Sequence, residues 1–437
     1  MITAIKNAVE QFLKKSENKT IQIISHHDTD GITSAAILIK ALQRLNKKFS
    51  VRIVKQFEES AIEISQESVI IFLDLASNSF NYLKNLKNPI FILDHHEIIS
   101  EVPENIYIIN PHLFGKEEMS ASAVTYLFAK ELNQENTDLA HLAIIGMIGD
   151  MFEKNFGKTG NSILNDSKII IKKGLTLYPA TRPIDKVLEY NSDIYIPGVT
   201  GSFYGTSNFL KDIGIEKING QYKSIIELNE NETSKLITAI ALQNTVGCEI
   251  HSLVGNIYLT NLFSKLEDVR QISATINACS RLGESGIAIS YCLQDKKAKE
   301  KVEKIYASYK REIVTSLNAL SKLKKIEDKN YLIINAQDKI KDTLIGTIAS
   351  IISNSREYEE GKAIIAMAYN EDKIKVSARM VGKSGKNIRE LLNSVIEIIG
   401  GEVGGHHAAA GCLIEKHNES KFLDELKKQF EIELIKI

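Results

Sequence analysis

The sequence has no apolar run near the roughly 18 residues that a membrane-crossing helix needs. Its opening segment, MITAIKNAVEQFLKKSENKT, reads as an amphipathic helix and lacks the apolar core and small-residue cleavage site of a secretory signal. A cytoplasmic protein is expected. Charge of one sign is also missing: 54 basic and 55 acidic residues leave a formal net charge of −1. No global basic excess points to nucleic acid, although a local patch can still bind it. Cysteine is sparse. Cys248, Cys279, Cys292 and Cys412 show no CxxC spacing. That argues against structural zinc and against a disulfide framework, and for reduced, packed thiols. Proline is absent beyond Pro197. This shift marks a boundary near the middle of the chain. What remains is ordinary globular composition, 43% hydrophobic and 25% charged over 437 residues, enough for two or three domains.

Residues 1–150 alternate strand and helix signals. IQIIS (21–25), VRIV (51–54), SVIIFLD (68–74) and PIFILD (89–94) are short, β-branched, buried-strand runs. Gly31 to Leu45, Met119 to Leu132 and Leu139 to Ile148 read as helices. Such alternation predicts βαβ units and a parallel sheet covered on both faces. Ligands of these sheets bind beyond the carboxyl ends of the strands. Residues 190–260, with the aromatic and glycine-rich YIPGVTGSFYGTSNF, give no specific reading.

Asp295 to Lys325 contains neither proline nor glycine, and Val302, Ile305, Tyr306, Tyr309, Ile313, Leu317 and Leu320 form a helical face. Its ten Lys/Arg and four Asp/Glu give a local charge of +6. This is either a solvated helix joining two domains or one whose basic face also touches nucleic acid. Beyond it, YLIIN is a strand, Thr343 to Ile352 a helix, and AIIAMAY and KIKVSAR a hairpin. Asn387 to Ile399 and Ser420 to Phe430 are helices, and GGEVGGHHAAAG (400–411) is a glycine-rich loop.

Six of the ten histidines come as adjacent pairs: His26-His27, His95-His96 and His406-His407. His26-His27-Asp28-Thr29-Asp30-Gly31 follows a strand and opens a helix. In an extended segment His26, Asp28 and Asp30 share one face. Two carboxylates and an imidazole suit a metal, while a solvated turn with Asp30 capping the helix is the plainer alternative. Asp74 and Asp94-His95-His96 each end a buried strand, and Gly149-Asp150 closes an apolar helix. Each alone fits a capping or turn role. Together they offer four Asp and two His in about 150 residues, enough for two divalent cations with one carboxylate bridging. The donors suit manganese, with magnesium as the alternative.

These motifs resemble those of the DHH phosphoesterases. His26-x-Asp28-x-Asp30-Gly31, Asp74, Asp94-His95-His96 and Gly149-Asp150 match the family's N-terminal motifs in order. Gly404-Gly405-His406-His407-Ala408-Ala409-Ala410-Gly411 resembles the signature of the associated DHHA1 domain, and Ser377-Ala378-Arg379 its SxR strand. Asn110-Pro111-His112, Met119 to Ala123 and Ile276 to Gly283 are similar to stretches of the RecJ-like branch, especially its archaeal, GINS-associated members. Ser280 stands where glycine is usual, and Glu402-Val403 interrupt the glycine cluster.

The resemblance implies an α/β fold. A DHH catalytic domain with a helix-covered parallel sheet would span 1–190, a RecJ-like middle region 191–294, a long connecting helix 295–326 and an α/β DHHA1 domain 327–437. It implies that His26, Asp28, Asp30, Asp74, His95 and Asp150 bind two metals, with Asp74 the candidate bridge. Asp94, His95 and His96 would form the catalytic motif, His96 contacting the scissile phosphate. Arg379, Gly404, Gly405 and His406 would bind substrate, the glycine loop presenting backbone N–H groups. Lys383, Lys386 and Arg389 are candidates for a strand-binding groove or for a solvated loop. The expected activity is a metal-dependent single-strand exonuclease of DNA replication and repair, acting on DNA, with RNA the further candidate substrate. The alternatives are a nanoRNase-like oligonucleotide or small-molecule phosphoesterase and a scaffold that binds GINS-like replication proteins.

Overall fold

The computed structural model describes residues 1–57, 65, 67–115, 117–190, 196, 198–243, 253–320, 323–354, 358–382 and 384–431. Lys383 and Cys248 lie outside the described residues. The chain divides into two compact units. The first comprises 1–187, 217–237 and 248–306; the second comprises 188–216, 238–247 and 307–437.

Five strands open the first unit: β1 (Thr20–His26), β2 (Phe49–Val54), β3 (Ser68–Leu73), β4 (Ile90–Leu93) and β5 (Ile106–Ile109). They form one parallel sheet in the order β2-β1-β3-β4-β5. Four were legible as apolar runs. The fifth, IYII, is a short edge strand. Side chains alternate as the pleat requires. Val69, Ile71, Leu73, Phe91 and Leu93 enter one core, and Ile70, Phe72, Ile90 and Ile92 the other.

Helices α1 (Ile2–Lys15), α2 (Thr29–Arg44), α4 (Ala121–Leu132) and α5 (Ala140–Gly149) build the first core with the sheet. The one-turn α3 (Phe80–Leu83) supplies Phe80 and Leu83 to the second, which loops complete. Helix α1 buries Ile5, Ala8, Val9 and Phe12, the spacing of a single apolar stripe. Helix α2 is buried almost all round, because α4 and α5 also pack on it. Gly146 of α5 permits that approach: a Cβ there would lie 2.5 Å from Thr33 Oγ1 and 2.6 Å from Asp30 Oδ1.

Helix α6 (Gly157–Asp166) leads to a three-stranded antiparallel sheet that the strand signals did not reveal: β6 (Ile170–Leu175), β7 (Val254–Leu262) and β8 (Lys265–Asp268). Its strands lie far apart in sequence. Between them come α7 (Ile184–Glu189), α8 (Phe203–Asp212) and α9 (Glu230–Gln243). Then α10 (Val269–Arg281) and α11 (Ser285–Cys292) pack on α2, and α12 (Lys296–Leu320) follows. Cys279, Cys292 and Cys412 are buried free thiols, each pushed up to about 12 by burial.

In the second unit β9 (Lys325–Glu327), β10 (Tyr331–Asn335), β11 (Ala363–Asn370), β12 (Lys373–Met380), β13 (Glu402–His406) and β14 (Ala409–Glu415) make a mixed sheet in the order β13-β14-β12-β11-β10-β9. Helices α13 (Asp342–Asn354), α14 (Ile388–Ile399) and α15 (Glu419–Glu431) accompany it. The β11–β12 hairpin turns at Glu371-Asp372, as read from the sequence. The glycine-rich segment 400–411, expected as a loop, is paired strand for most of its length. It is a β-hairpin, with Gly404, Gly405 and His406 on edge strand β13 opposite Gly411, Ala410 and Ala409. Glycine lowers strand propensity, but pairing with β14 outweighs that tendency.

Candidate metal centre

Parallel strands place their carboxyl ends on one edge of the sheet, and the polar residues that end β1, β3 and β4 meet there. His26 is the last residue of β1. Asp28 caps α2 and accepts the Gly31 N–H at 3.0 Å. Asp74 follows β3 in a left-handed conformation, φ +59°, and its N–H donates to the Leu93 carbonyl. Aspartate tolerates that conformation better than most residues do. Asp150 caps the C-terminus of α5.

Three donor groups result: His26, Asp28 and Asp74; Asp74, His95 and His96; Asp30, His95 and Asp150. Asp74 and His95 each belong to two of them. His26 Nδ1 lies 3.0 Å from Asp28 Oδ2 and 3.1 Å from Asp74 Oδ2. His95 Nε2 lies 3.3 Å from Asp74 Oδ1 and 3.2 Å from Asp150 Oδ2. All six residues expected to bind metal are thus brought together, with His96 beside them.

Asp94 stands apart from these groups. Its carboxylate accepts the N–H groups of Ser77 at 3.1 Å, His95 at 2.8 Å and His96 at 3.3 Å, and its Oδ1 is 2.8 Å from His96 Nδ1. It shapes the loop and aims His96. Asn110 braces the same loop, donating to Ser77 Oγ and to the His96 carbonyl at 3.0 and 2.8 Å. Sequence reasoning noted the Asn-Pro pair but not this role, nor Ser77; single serines and asparagines in loops carry no distinguishing local signal. Asp30 is fully buried at the N-terminus of α4, where it accepts the Ala121 and Ser122 N–H groups at 2.6 and 3.1 Å. That end of a helix favours an anion.

Electrostatics show what this arrangement needs. Burial pushes the Asp74 and Asp150 carboxyls well up; Asp28 beside Asp74, and Asp30 beside Asp150, add to it. Burial raises Asp30 as well. Burial alone would lower the His26 and His95 imidazoles, but Asp28 and Asp74 around the first, and Asp30 and Asp150 around the second, raise them. His26 conversely holds Asp28 low against its burial. Asp74 Oδ1 has no hydrogen-bond partner. A buried excess of carboxylate with an orphan oxygen requires positive charge. Four carboxylates and two imidazoles without thiolate fit divalent cations of the manganese or magnesium type. His27 is not a donor. Burial takes it down to about 4, with the neighbouring His26 adding to the shift.

In the second unit Arg379 lies on β12 opposite Ala409. Its Nε donates to Ser350 Oγ at 3.0 Å and its Nη1 to the Ala378 carbonyl at 2.8 Å. Gly405 has φ +112°, open to glycine alone, and His406 is exposed. Lys386 is tied to a helix end of its own unit. Its Nζ donates to the Gln429 and Phe430 carbonyls at the end of α15 and sits 5.1 Å from the Phe430 ring centroid. Carbonyls left over at a helix terminus attract a lysine. Arg389 is exposed.

Comparison with known proteins bears on the family and the fold. Residues 20–147 match the model of the DHH family N-terminal domain, 178–253 the DHH-CID domain and 318–431 the DHHA1 domain. An uncharacterized protein of Methanocaldococcus jannaschii is 31% identical over 92% of this chain and 91% of its own. The single-stranded-DNA-specific exonuclease RecJ of Bacillus subtilis is 29% identical over 31% of this chain and 20% of its own. Among solved structures, CDC45 from Entamoeba histolytica superposes with TM-score 0.70 at 14% identity, covering 98% of this chain and 99% of that one. Exonuclease RecJ bound to manganese superposes with TM-score 0.59 at 16% identity, covering 97% and 93%. The chain belongs to the DHH phosphoesterase family, as a RecJ-like member with a DHHA1 domain.

Proposed function

We propose that the protein is a two-metal exonuclease that hydrolyses phosphodiester bonds of single-stranded DNA, with RNA the further candidate substrate, in replication and repair in the cytoplasm. The observation that carries this is the sharing of Asp74 between the His26–Asp28 donors and the His95–His96 donors. A carboxylate at that position suits a bridge between two cations, manganese first and magnesium second. His26 and Asp28 would complete one side, and Asp30, His95 and Asp150 the other. When bound, such a pair lowers the pKa of water and neutralises charge on a transferring phosphoryl group.

The chain's own groups do the rest. With His96 Nδ1 turned to Asp94, Nε2 is left to donate to a phosphate oxygen. Asp94 keeps the imidazole in that orientation and is a positioning residue. Asp30 is neutralised on one side by the N-terminus of α4, which keeps its carboxylate fixed while substrate exchanges. Arg379, Gly404, Gly405 and His406 are proposed to bind the nucleotide end. The arginine fork would take a phosphate, and the outward N–H groups of edge strand β13 would meet the backbone.

The likeness to CDC45 favours a second reading, a replication scaffold that holds GINS-like proteins. The complete donor set argues for hydrolysis as well, since a pure scaffold has no use for it. The deciding experiment is a time course with manganese on end-labelled single strands, DNA and RNA, of about five and forty nucleotides. Stepwise shortening of the long strand is expected, and the label gives polarity. Cleavage of the short strands alone would point to a nanoRNase-like enzyme. No cleavage, with tight strand or partner binding, would point to the scaffold.

A further inference from the structure

The basic helix α12 has a face that the site described above leaves unused. Ala298 and Val302 are buried, and Ile305 packs against the first core, so the start of the helix is held to the first unit along one apolar seam. Beside that seam Lys297, Lys301 and Lys304 follow one another at steps of four and three. At 100° per residue they fall within about 60° of arc, and they step along the axis by about 6 and 4.5 Å. All three are exposed. Glu300 borders this row and Glu303 lies further round, yet none of the three lysines forms an ion pair among the described residues. A surface row of like charges on a fixed helix is unfavourable unless something negative lies along it. The row also interrupts the near-neutral balance of the whole chain, so it is a local feature and not part of a general basic surface.

We propose that Lys297, Lys301 and Lys304 form a track for the sugar–phosphate backbone of a single strand, holding the part of the substrate that is not being cut. The inference rests on the exonuclease reading and extends it to a binding surface. Three observations favour a nucleic-acid backbone. The charges run in a line, as phosphates do. Lysine is a point charge without the planar fork that selects one carboxylate or one phosphate. The row also shows no aromatic or apolar side chain of the kind that anchors a protein partner.

The test uses the full chain and a labelled forty-nucleotide single strand in chelator, so that nothing is cut. Binding is measured against salt for the wild type, for the triple variant Lys297→Ala/Lys301→Ala/Lys304→Ala, and for a control of equal charge, Lys6→Ala/Lys14→Ala/Lys15→Ala on α1. Each phosphate contact on a single strand contributes about 0.7 to the slope of log affinity against log salt. The track predicts that the triple variant loses about 2 from that slope while the control keeps it. With manganese, the variant's KM for the long strand should rise while turnover of a five-nucleotide strand stays within about twofold. An unchanged slope in the triple variant, or an equal loss in the control, overturns the track. So does competition by poly-glutamate that depends on these lysines while strand binding does not. If the wild type neither binds nor cuts single strands, the exonuclease reading has failed. If it cuts them and the triple variant matches it in slope and KM, only the track has failed. The lysines are exposed, so a melting temperature near that of the wild type checks that each variant is folded.

Discussion

The two units use their sheets in opposite ways. In the first every strand of the main sheet is parallel, so the carboxyl ends of β1, β3 and β4 share one edge, and the polar residues that end them collide. In the second, hairpins send neighbouring strands in opposite directions, so strand ends scatter and residues meet across the ladder instead: Arg379 opposite Ala409, and Gly404 opposite Gly411. All three donor groups found among the described residues lie in the first unit. A parallel sheet concentrates charge at a point and then needs cations. A mixed sheet presents a surface of backbone groups and single side chains, better suited to holding a ligand than to activating it.

The sharpest way to break this contrast is Asp74→Ala. Hydrolysis should fall at least about 10^3-fold, because the shared ligand supplies several kcal/mol of transition-state charge stabilisation. The fold should survive. Removing a buried carboxyl that is held above its ordinary value should even raise the melting temperature of the metal-free protein. Near wild-type turnover would take Asp74 out of the site.

The same charge predicts a pH trend. Without metal, the Asp74 and Asp150 carboxyls and the His26, His95 and His96 imidazoles all titrate above their ordinary values. Their contribution to stability is complete below the unfolded values, about 4 for the carboxyls and 6.5 for the imidazoles. It is lost as pH rises through the folded values. The metal-free protein should therefore melt at a lower temperature at pH 8 than at pH 5. Asp28 and Asp94, held low, act oppositely only below about pH 4, and His27 and His141, lowered by burial, act oppositely below about 6.5, two groups against the five raised ones. Manganese should reverse the trend, since its ligands bind deprotonated. A metal-free melting curve that climbs steadily from pH 5 to 8 contradicts the buried-charge account.

Asp94→Asn separates aiming from ligation. It should slow hydrolysis by about 10–100-fold, the usual cost of losing a residue that orients another. Manganese affinity should stay near that of wild type, as calorimetry would read. A collapse of metal binding would make Asp94 a ligand.

Arg379→Ala probes the mixed sheet. Losing a charge-assisted hydrogen bond of about 1.5–3 kcal/mol should raise KM roughly tenfold or more and leave kcat nearly unchanged. A fall in kcat at constant KM would assign the arginine to the chemistry. The smallest effect is expected from Lys386→Ala. It should cost about 0.3–1 kcal/mol in urea unfolding, the value of a cation at a helix C-terminus, with no effect on strand binding. Weaker strand binding would restore it to a groove.

Much of this was legible along the chain. Four of the five parallel strands announced themselves as β-branched runs. Three of them, β1, β3 and β4, ran into His or Asp, so the candidate ligands could be picked from pattern and chemistry before any distance was known. Asp150 was readable because an acid closing an apolar helix is out of place. The three-stranded sheet was not readable, because β6 and β7 are separated by most of the middle region and the edge strand Ile170–Leu175 is mostly exposed, without an alternating apolar pattern. The glycine cluster 400–411 reads as a loop locally, since only the presence of β14 and β12 makes it a strand pair. Lys386 has a nearby charge in the sequence but no visible helix end to serve.

The residue types at the ends of β1, β3 and β4 were enough to point to a cluster of carboxylates and imidazoles fit for a divalent cation, because strand period and burial are local properties. Folding decided how those residues divide the work. Asp94 and Asp74 occupy equivalent places after neighbouring strands, yet one carboxylate is consumed by three backbone N–H groups and His96, and the other keeps an oxygen without a hydrogen-bond partner. That difference depends on which loops and helices pack above each strand end, and such contacts join residues far apart in sequence.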